Sequence, residues 1–196
     1  MTFARARVSA SLRQLPNSIS AFRIVLVAPI GIALAHRDWP VAIALILVAT
    51  ASDGLDGFLA RRFGWQTPLG ALLDPAADKL LVATVFVTLA VRGGVPLWLM
   101  AVAVGRDLVI VTGTLAYRLR FGPLRVRARA VSRLNTLCQL GFVLCVVVRR
   151  EIGWPPAWAE ITLGATTLVT TTVSGIDYVL TYGRAAREAA RAEAVE

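Results

Sequence analysis

The chain alternates between long apolar stretches and short polar breaks. Six apolar stretches of 18 to 26 residues stand out, at 18–35, 39–62, 70–91, 95–117, 131–148 and 157–182. A bilayer-crossing helix needs about 20 mostly apolar residues, so the pattern predicts an all-α integral membrane protein with six transmembrane helices. Pro16, Pro40, Pro68, Pro96, Pro155 and Pro156 fall at or near the predicted helix starts, where the missing N–H of proline is no loss. Trp39, Trp65, Trp98, Trp154 and Trp158 cluster near the predicted ends, as interfacial aromatics do. The expected organisation is a basic juxtamembrane segment at 1–17, a six-helix domain at 18–183 and a polar, Ala-rich helical tail at 184–196. No cleavable signal peptide is expected, because no short apolar core with a small-residue cleavage site follows the basic opening.

Composition agrees with this picture. Hydrophobic residues make up 57% of the chain and charged residues 17%, against roughly 25% charged in an average soluble domain. The net charge of +9 could suggest nucleic acid, but the arginines lie mostly between apolar spans. That distribution suits membrane topology and anionic headgroups, so no nucleic-acid partner is expected. Fourteen arginines fall on one side of the predicted spans, in the N-terminal segment, the 61–62 and 118–133 loops and the tail. Only Arg37, Arg92, Arg149 and Arg150 fall on the other. The positive-inside rule then places both termini and the loop after the second span in the cytoplasm. Arg23, Lys79 and Arg106 remain at membrane depth. Cys138 and Cys145, seven residues apart on one predicted helix, read as small core residues rather than a disulfide. His36 reads as interfacial, and Asp177 receives no role.

The chemistry is concentrated between residues 53 and 78. Asp53, Asp56, Asp74 and Asp78 lie within 26 residues of an apolar chain, and intramembrane carboxylates are functional candidates by default. Four acids gathered in one place need positive charge between them. A pair of hard divalent cations supplies it, since oxygen ligands suit Mg²⁺, Mn²⁺ or Ca²⁺. On a helix, Asp53, Asp56, Gly57, Ala60 and Arg61 share one face about 140° wide, and Asp74 and Asp78 are neighbours one turn apart. Gly70 sits one turn before Asp74. Gly57 and Ala60 leave room for a ligand to approach the backbone, and Arg61 offers a planar fork suited to phosphate. Two metals, a phosphate-binding arginine and a small-residue pocket point to phosphoryl-group chemistry. A carboxylate not fully committed to metal could take a proton from an attacking hydroxyl.

These residues carry a resemblance. The string D-x2-D-G-x2-A-R-x8-G-x3-D-x3-D is the signature of the CDP-alcohol phosphotransferases, and this chain matches all eight fixed positions, with RFGWQTPL filling the eight-residue gap. A chance match is on the order of 10⁻¹⁰ per start position at average residue frequencies. The segments PNSISAFRIVLVAP and LLDPAADKLLV also resemble the phosphatidylglycerophosphate and cardiolipin synthase branch. The resemblance implies transfer of a phosphatidyl group from CDP-diacylglycerol to an alcohol, with CMP leaving. It implies that Asp53, Asp56, Asp74 and Asp78 bind two divalent cations, Mg²⁺ or Mn²⁺, and that Asp78 is the base. It implies that Asp53, Gly57, Ala60, Arg61 and Gly70 line the cytidine diphosphate site. A homodimer and the bilayer are its expected partners. The 20 arginines to one lysine, with abundant alanine, point to the inner membrane of a GC-rich bacterium, the site facing the cytoplasm.

The acceptor is read from the later spans. Branch members that make phosphatidylglycerophosphate usually carry Arg-Glu in the fourth span and G-K-x-K-T-x-x-Q at the fifth. Here the fourth span has Arg106-Asp107, and the fifth opens Ser132-Arg133-Leu134-Asn135-Thr136 with Gln139 following. This is more similar to the cardiolipin synthases, which favours phosphatidylglycerol over glycerol 3-phosphate as acceptor. Either acceptor bears a phosphate, for which Arg106, Arg129 and Arg133 are the candidates. Arg106 could instead be only the ion-pair partner of Asp107. Two rival classes fit the residues less well. Membrane prenyltransferases keep their Asp-rich motifs far apart, and a cation channel or transporter leaves Gly57, Ala60, Arg61 and Gly70 unexplained.

Overall fold

A computed structural model describes the backbone over residues 15–63, 70–121 and 130–193. Side chains are described over those segments except at 15–17, 56–61, 63, 70–75, 121, 130, 133, 189–190 and 192–193. Every element among the described residues is an α-helix: α1 Leu15–His36, α2 Trp39–Phe63, α3 Gly70–Val91, α4 Leu97–Phe121, α5 Ala130–Ile152 and α6 Ala157–Glu193. The all-helical expectation holds, with six helices near the six predicted stretches. Two described stretches, Ser18–His36 and Leu97–Arg120, are long and apolar enough to cross a membrane, and Trp39–Leu55 is a shorter apolar run.

Where ends differ from expectation, a local cap is the cause. The fourth helix begins two residues late because the carbonyl of Pro96 caps it, accepting from the N–H groups of Leu99 (3.0 Å) and Met100 (3.2 Å). The fifth runs on through Arg149 and Arg150 and stops at Gly153, whose φ of +72° suits only glycine well. The sixth continues into the tail, whose alanines, arginines and glutamates all favour helix.

The chain divides into two compact units, one of residues 1–92 with 150–152, the other of 93–149 with 153–196. In the first, α1 packs against both α2 and α3. Its core is Leu26, Ile30, Ala33 and Leu34 of α1, Ala42, Ile46 and Ala49 of α2, and Ala77, Leu81, Val85, Phe86 and Leu89 of α3. Small residues let the backbones approach. A Cβ on Gly31 would meet Thr84 Cγ2 at 3.1 Å, the close packing expected between helices in lipid.

The α1–α2 connection is two residues long. The N–H of Arg37 donates to Leu34 O (3.2 Å) and that of Asp38 to Ala33 O (2.9 Å), the bond pattern of a Schellman cap. Asp38 then caps α2, its Oδ1 accepting from the N–H of Val41 at 3.5 Å. Arg37 carries the left-handed conformation at φ +61°, which an L-residue with a Cβ adopts at a cost of about 1–2 kcal/mol. Arg37→Gly is therefore expected to stabilise the protein, after allowance for the greater freedom of unfolded glycine, by about 0.5–1 kcal/mol. Thermal unfolding in detergent would register this as a Tm increase of about 1–4 °C. A lower Tm would mean that the arginine side chain contributes more than the strain costs.

In the second unit α4 packs on α6. Tyr178 of α6 donates its hydroxyl to Ile110 O (2.8 Å) and meets Thr114 Oγ1 (2.8 Å). Gly113 makes room for it, since a Cβ there would lie 3.1 Å from Tyr178 Oη. α5 meets α6 where a Cβ on Gly164 would touch Phe142 at 3.2 Å, and Thr167 donates to Cys138 O at 3.2 Å. In the last turn of α5, Arg149 pairs with Glu160 at 3.1 Å and donates to Pro155 O at 2.8 Å. Along α6, Thr162, Thr166 and Thr170 donate to the carbonyls four residues back, at 2.8, 2.8 and 2.9 Å. Large apolar side chains cover the outside, among them Phe22, Val25 and Ile32 of α1, Leu108, Val111 and Leu115 of α4, and Val169, Val173 and Ile176 of α6. Exposed apolar surface on this scale is what a bilayer covers. Cys138 and Cys145 are free thiols, as expected.

Candidate active site

The eight motif positions lie on two helices. Asp53, Asp56, Gly57, Ala60 and Arg61 belong to α2, Gly70 opens α3, and Asp74 and Asp78 follow on it. The helical backbone that the spacing argument requires is present on both. The side chains of Asp56, Gly57, Ala60, Arg61, Gly70 and Asp74 lie outside the described residues. Of the four acids, Asp53 and Asp78 are described: Asp53 is exposed and Asp78 half-buried. Ala77, next to Asp78, is fully buried against the rest of the first unit, which fixes the height of Asp78 on α3.

Asp53 has a partner that sequence reasoning left without a role. Arg23 of α1 places Nη1 2.7 Å from Asp53 Oδ1, and the arginine side chain is 1% exposed against 54% for the aspartate. A guanidinium buried in an apolar unit needs an anion beside it. The acid one helix away supplies that anion at its more solvated end. The ion pair draws the Asp53 carboxylate towards α1. Ser20, one turn before Arg23, is also fully buried, so α1 turns a polar face inward at this level. The signal was in the sequence, since an arginine within an 18-residue apolar run is a functional candidate in its own right.

Do these residues suit divalent cations? The donors are hard carboxylate oxygens, the right kind for Mg²⁺ or Mn²⁺. Arg23 answers one of the four negative charges on the motif, so the set as a whole still calls for cations. Among the described residues no group of three or more potential ligands gathers, with Asp56 and Asp74 outside that set.

Of the expected acceptor residues, the side chain of Arg106 is described, and it belongs to the second unit. Arg106 is 7% exposed. Its Nη1 donates to Asp107 Oδ1 at 2.7 Å, and its Nη2 to Ser132 Oγ at 3.0 Å and to Ser174 Oγ. The ion pair with Asp107 weighed from sequence is thus present, and Ser132 and Ser174 are further partners that the sequence did not announce. Among the described residues Arg106 Nε has no hydrogen-bond partner. Arg129 lies outside the described residues, as does the side chain of Arg133.

Comparison with known proteins bears on this arrangement. The family model for CDP-alcohol phosphatidyltransferases matches residues 13–173, a stretch that takes in both motif helices and Arg23. The chain belongs to this family. Among its curated relatives is a human protein named cardiolipin synthase (CMP-forming), 29% identical over 186 residues, covering 87% of this chain and 62% of the relative. A Pseudomonas fluorescens protein named CDP-diacylglycerol–glycerol-3-phosphate 3-phosphatidyltransferase is 44% identical over 103 residues, covering 49% of this chain and 52% of the relative. A Mycobacterium tuberculosis protein named probable phosphatidylglycerophosphate synthase is 30% identical over 181 residues, covering 89% of this chain and 82% of the relative. The chain spans about three-fifths of the length of the human relative (62%). Family membership agrees with the resemblance drawn from the motif, and the relatives carry the names of both acceptor branches.

Proposed function

We propose that the protein transfers a phosphatidyl group from CDP-diacylglycerol to phosphatidylglycerol, forming cardiolipin and releasing CMP. The observation that carries the reading is the complete eight-position motif on two helices of a family member, with Asp53 oriented by Arg23. Asp53, Asp56, Asp74 and Asp78 would hold two divalent cations, Mg²⁺ or Mn²⁺, whose chemistry is to screen the diphosphate oxygens and stabilise the departing CMP. Asp53, Gly57, Ala60, Arg61 and Gly70 bind the cytidine diphosphate group. Asp78 takes the proton from the acceptor hydroxyl. The hydroxyl oxygen then attacks the lipid-side phosphorus, one P–O bond forms, and the bond to the CMP phosphate breaks. Arg106, Arg129 and Arg133 hold the acceptor phosphate.

We place the protein in a bacterial inner membrane with six spans, both termini and the motif on the cytoplasmic side. The support is the arginine distribution of 14 to 4 together with the apolar exterior. A homodimer is the expected assembly.

A second acceptor has specific support. The 44%-identical Pseudomonas relative carries the name of a glycerol-3-phosphate enzyme. One assay separates the readings: CMP release from CDP-diacylglycerol by the purified protein, offered phosphatidylglycerol, glycerol 3-phosphate, inositol phosphate or serine. The expected result is CMP release with phosphatidylglycerol, dependent on Mg²⁺ or Mn²⁺ and stopped by a chelator. Release with glycerol 3-phosphate alone would move the assignment to phosphatidylglycerophosphate synthesis. No release with any of the four would overturn the reading, and a cation-binding transporter would then be the reading to test.

A further inference from the structure

The last helix is longer than a bilayer requires. Its 37 residues, Ala157–Glu193, measure about 55 Å, against a hydrocarbon core of about 30 Å. Its packing on α4, within the second unit, shows where the excess lies. Leu97–Arg120 of α4 is long and apolar enough to cross a membrane. Near the end of that run Tyr117 meets Tyr182 of α6 edge to face, with ring centroids 6.4 Å apart, and Tyr182 stacks on Tyr178 at 3.8 Å. Tyrosine is enriched where membrane meets water, so the cluster marks that boundary. Residues 183–193 continue as helix past it, for about 16 Å.

This overshoot carries an ordered set of cations. Arg184, Arg187 and Arg191 recur at i, i+3 and i+7, a stripe about 60° wide, and all three are exposed. Among the described residues none of them takes part in an ion pair. Glu188 borders the stripe and is exposed too, while Ala185 and Ala186, towards the opposite face, are half-buried. Arg118 and Arg120, in the last turn of α4, add exposed positive charge at the level where the stripe begins.

Height decides what the stripe faces. The three arginines stand about 3, 8 and 14 Å past Tyr182 along the helix axis. The headgroup layer is about 5–8 Å thick on each side of the hydrocarbon. Arg184 and Arg187 therefore fall at headgroup depth, and Arg191 lies within a Debye length of about 8 Å from it. The guanidinium fork suits phosphate oxygens, and its long stem lets the charge bend back towards the interface. The same charges on a stripe standing clear of the headgroups would suit a soluble acidic partner instead.

We propose that Arg184, Arg187 and Arg191 bind anionic phospholipid headgroups, drawing such lipids from the bilayer into the shell around the second unit. The inference rests on the membrane placement proposed above and adds a lipid preference to it. Phosphatidylglycerol belongs to this class, so the shell would be enriched in the proposed acceptor.

The test places the full chain in phosphatidylcholine vesicles with a trace of spin-labelled phosphatidylserine or spin-labelled phosphatidylcholine. Electron paramagnetic resonance reads how much label the protein surface restrains. Phosphatidylserine is anionic and is not the proposed acceptor, so the reading does not depend on the acceptor site. At low salt the unmodified protein is expected to restrain phosphatidylserine about 3–5-fold more strongly, the order of one arginine–headgroup contact averaged over the shell. Salt at about 1 M should erase most of that preference. Arg184→Gln, Arg187→Gln and Arg191→Gln together are expected to bring the ratio below about 2, with an unchanged Tm because the side chains are exposed. Replacing the same three by lysine should keep most of it. The proposal is overturned if the folded glutamine variant keeps the preference, which would mean that the stripe faces solution or a soluble acidic partner. It is equally overturned if Arg92→Gln with Arg150→Gln, at the predicted other end of the spans, lowers the ratio as much, since net charge alone would then explain it. Restrained label without preference would remove the headgroup site and leave the membrane placement standing, whereas no restrained label at all would remove the placement itself.

Discussion

Asp78→Asn is expected to fold and to release CMP about 10²–10⁴-fold more slowly than the unmodified protein, the range by which a positioned base accelerates proton transfer. Asparagine keeps the shape of the side chain and its half-buried place on α3, so a stability change is not the expected cause. What it removes is the basic oxygen and one negative charge. If the lost charge matters only through metal binding, raising Mg²⁺ should restore most of the rate. If the proton acceptor is what is missing, saturating metal should not. Near-normal turnover in the variant would take Asp78 out of the base role.

The second large effect is expected at Arg23. Arg23→Leu keeps an apolar stem in the α1 core but removes the guanidinium that fixes Asp53 from 2.7 Å. Two consequences oppose each other. Loss of a nearby positive charge raises cation affinity, but Asp53 is 54% exposed, and in a watery setting one charge at this range is worth only about 1 kcal/mol. Loss of orientation at a metal-ligating carboxylate typically costs about 10–100-fold in affinity or activity. Orientation should win, so the rate is expected to fall by about 10–100-fold and the Mg²⁺ requirement to rise. Arg23→Lys, which keeps the charge but not the planar fork, should recover part of the loss. A lowered Mg²⁺ requirement in Arg23→Leu would show that the charge dominates.

The helices were legible in the sequence because long apolar runs set off by polar breaks and prolines mark them without any knowledge of contacts. The motif was legible because both of its halves are local: Asp53 to Arg61 lie on one helix and Gly70 to Asp78 on the next, so residue spacing alone places them. Arg23 was visible as a charge out of place, but its partner was not, because the bond to Asp53 joins residues 30 positions apart on different helices. The same holds for Arg106. Its neighbour Asp107 could be anticipated, whereas Ser132 and Ser174 lie 26 and 68 residues away. Asn135 and Gln139 stand in the sequence only as letters of a pattern, since nothing local to α5 tells that the hydroxyls of Thr170 and Thr171 reach Asn135 Oδ1 or that the Gln139 side-chain amide has no hydrogen-bond partner among the described residues.

The column of threonines on α6 changes how that helix meets oil. Thr162 and Thr166, both exposed, each satisfy their hydroxyl on their own backbone, so whatever lies against that face encounters mostly methyl groups. For partitioning purposes such a threonine behaves more like valine than its formula suggests. A helix rich in them can therefore enter the bilayer at a lower dehydration penalty than a tally of polar letters would assign. Mean hydropathy accordingly understates the apolar character of this last helix.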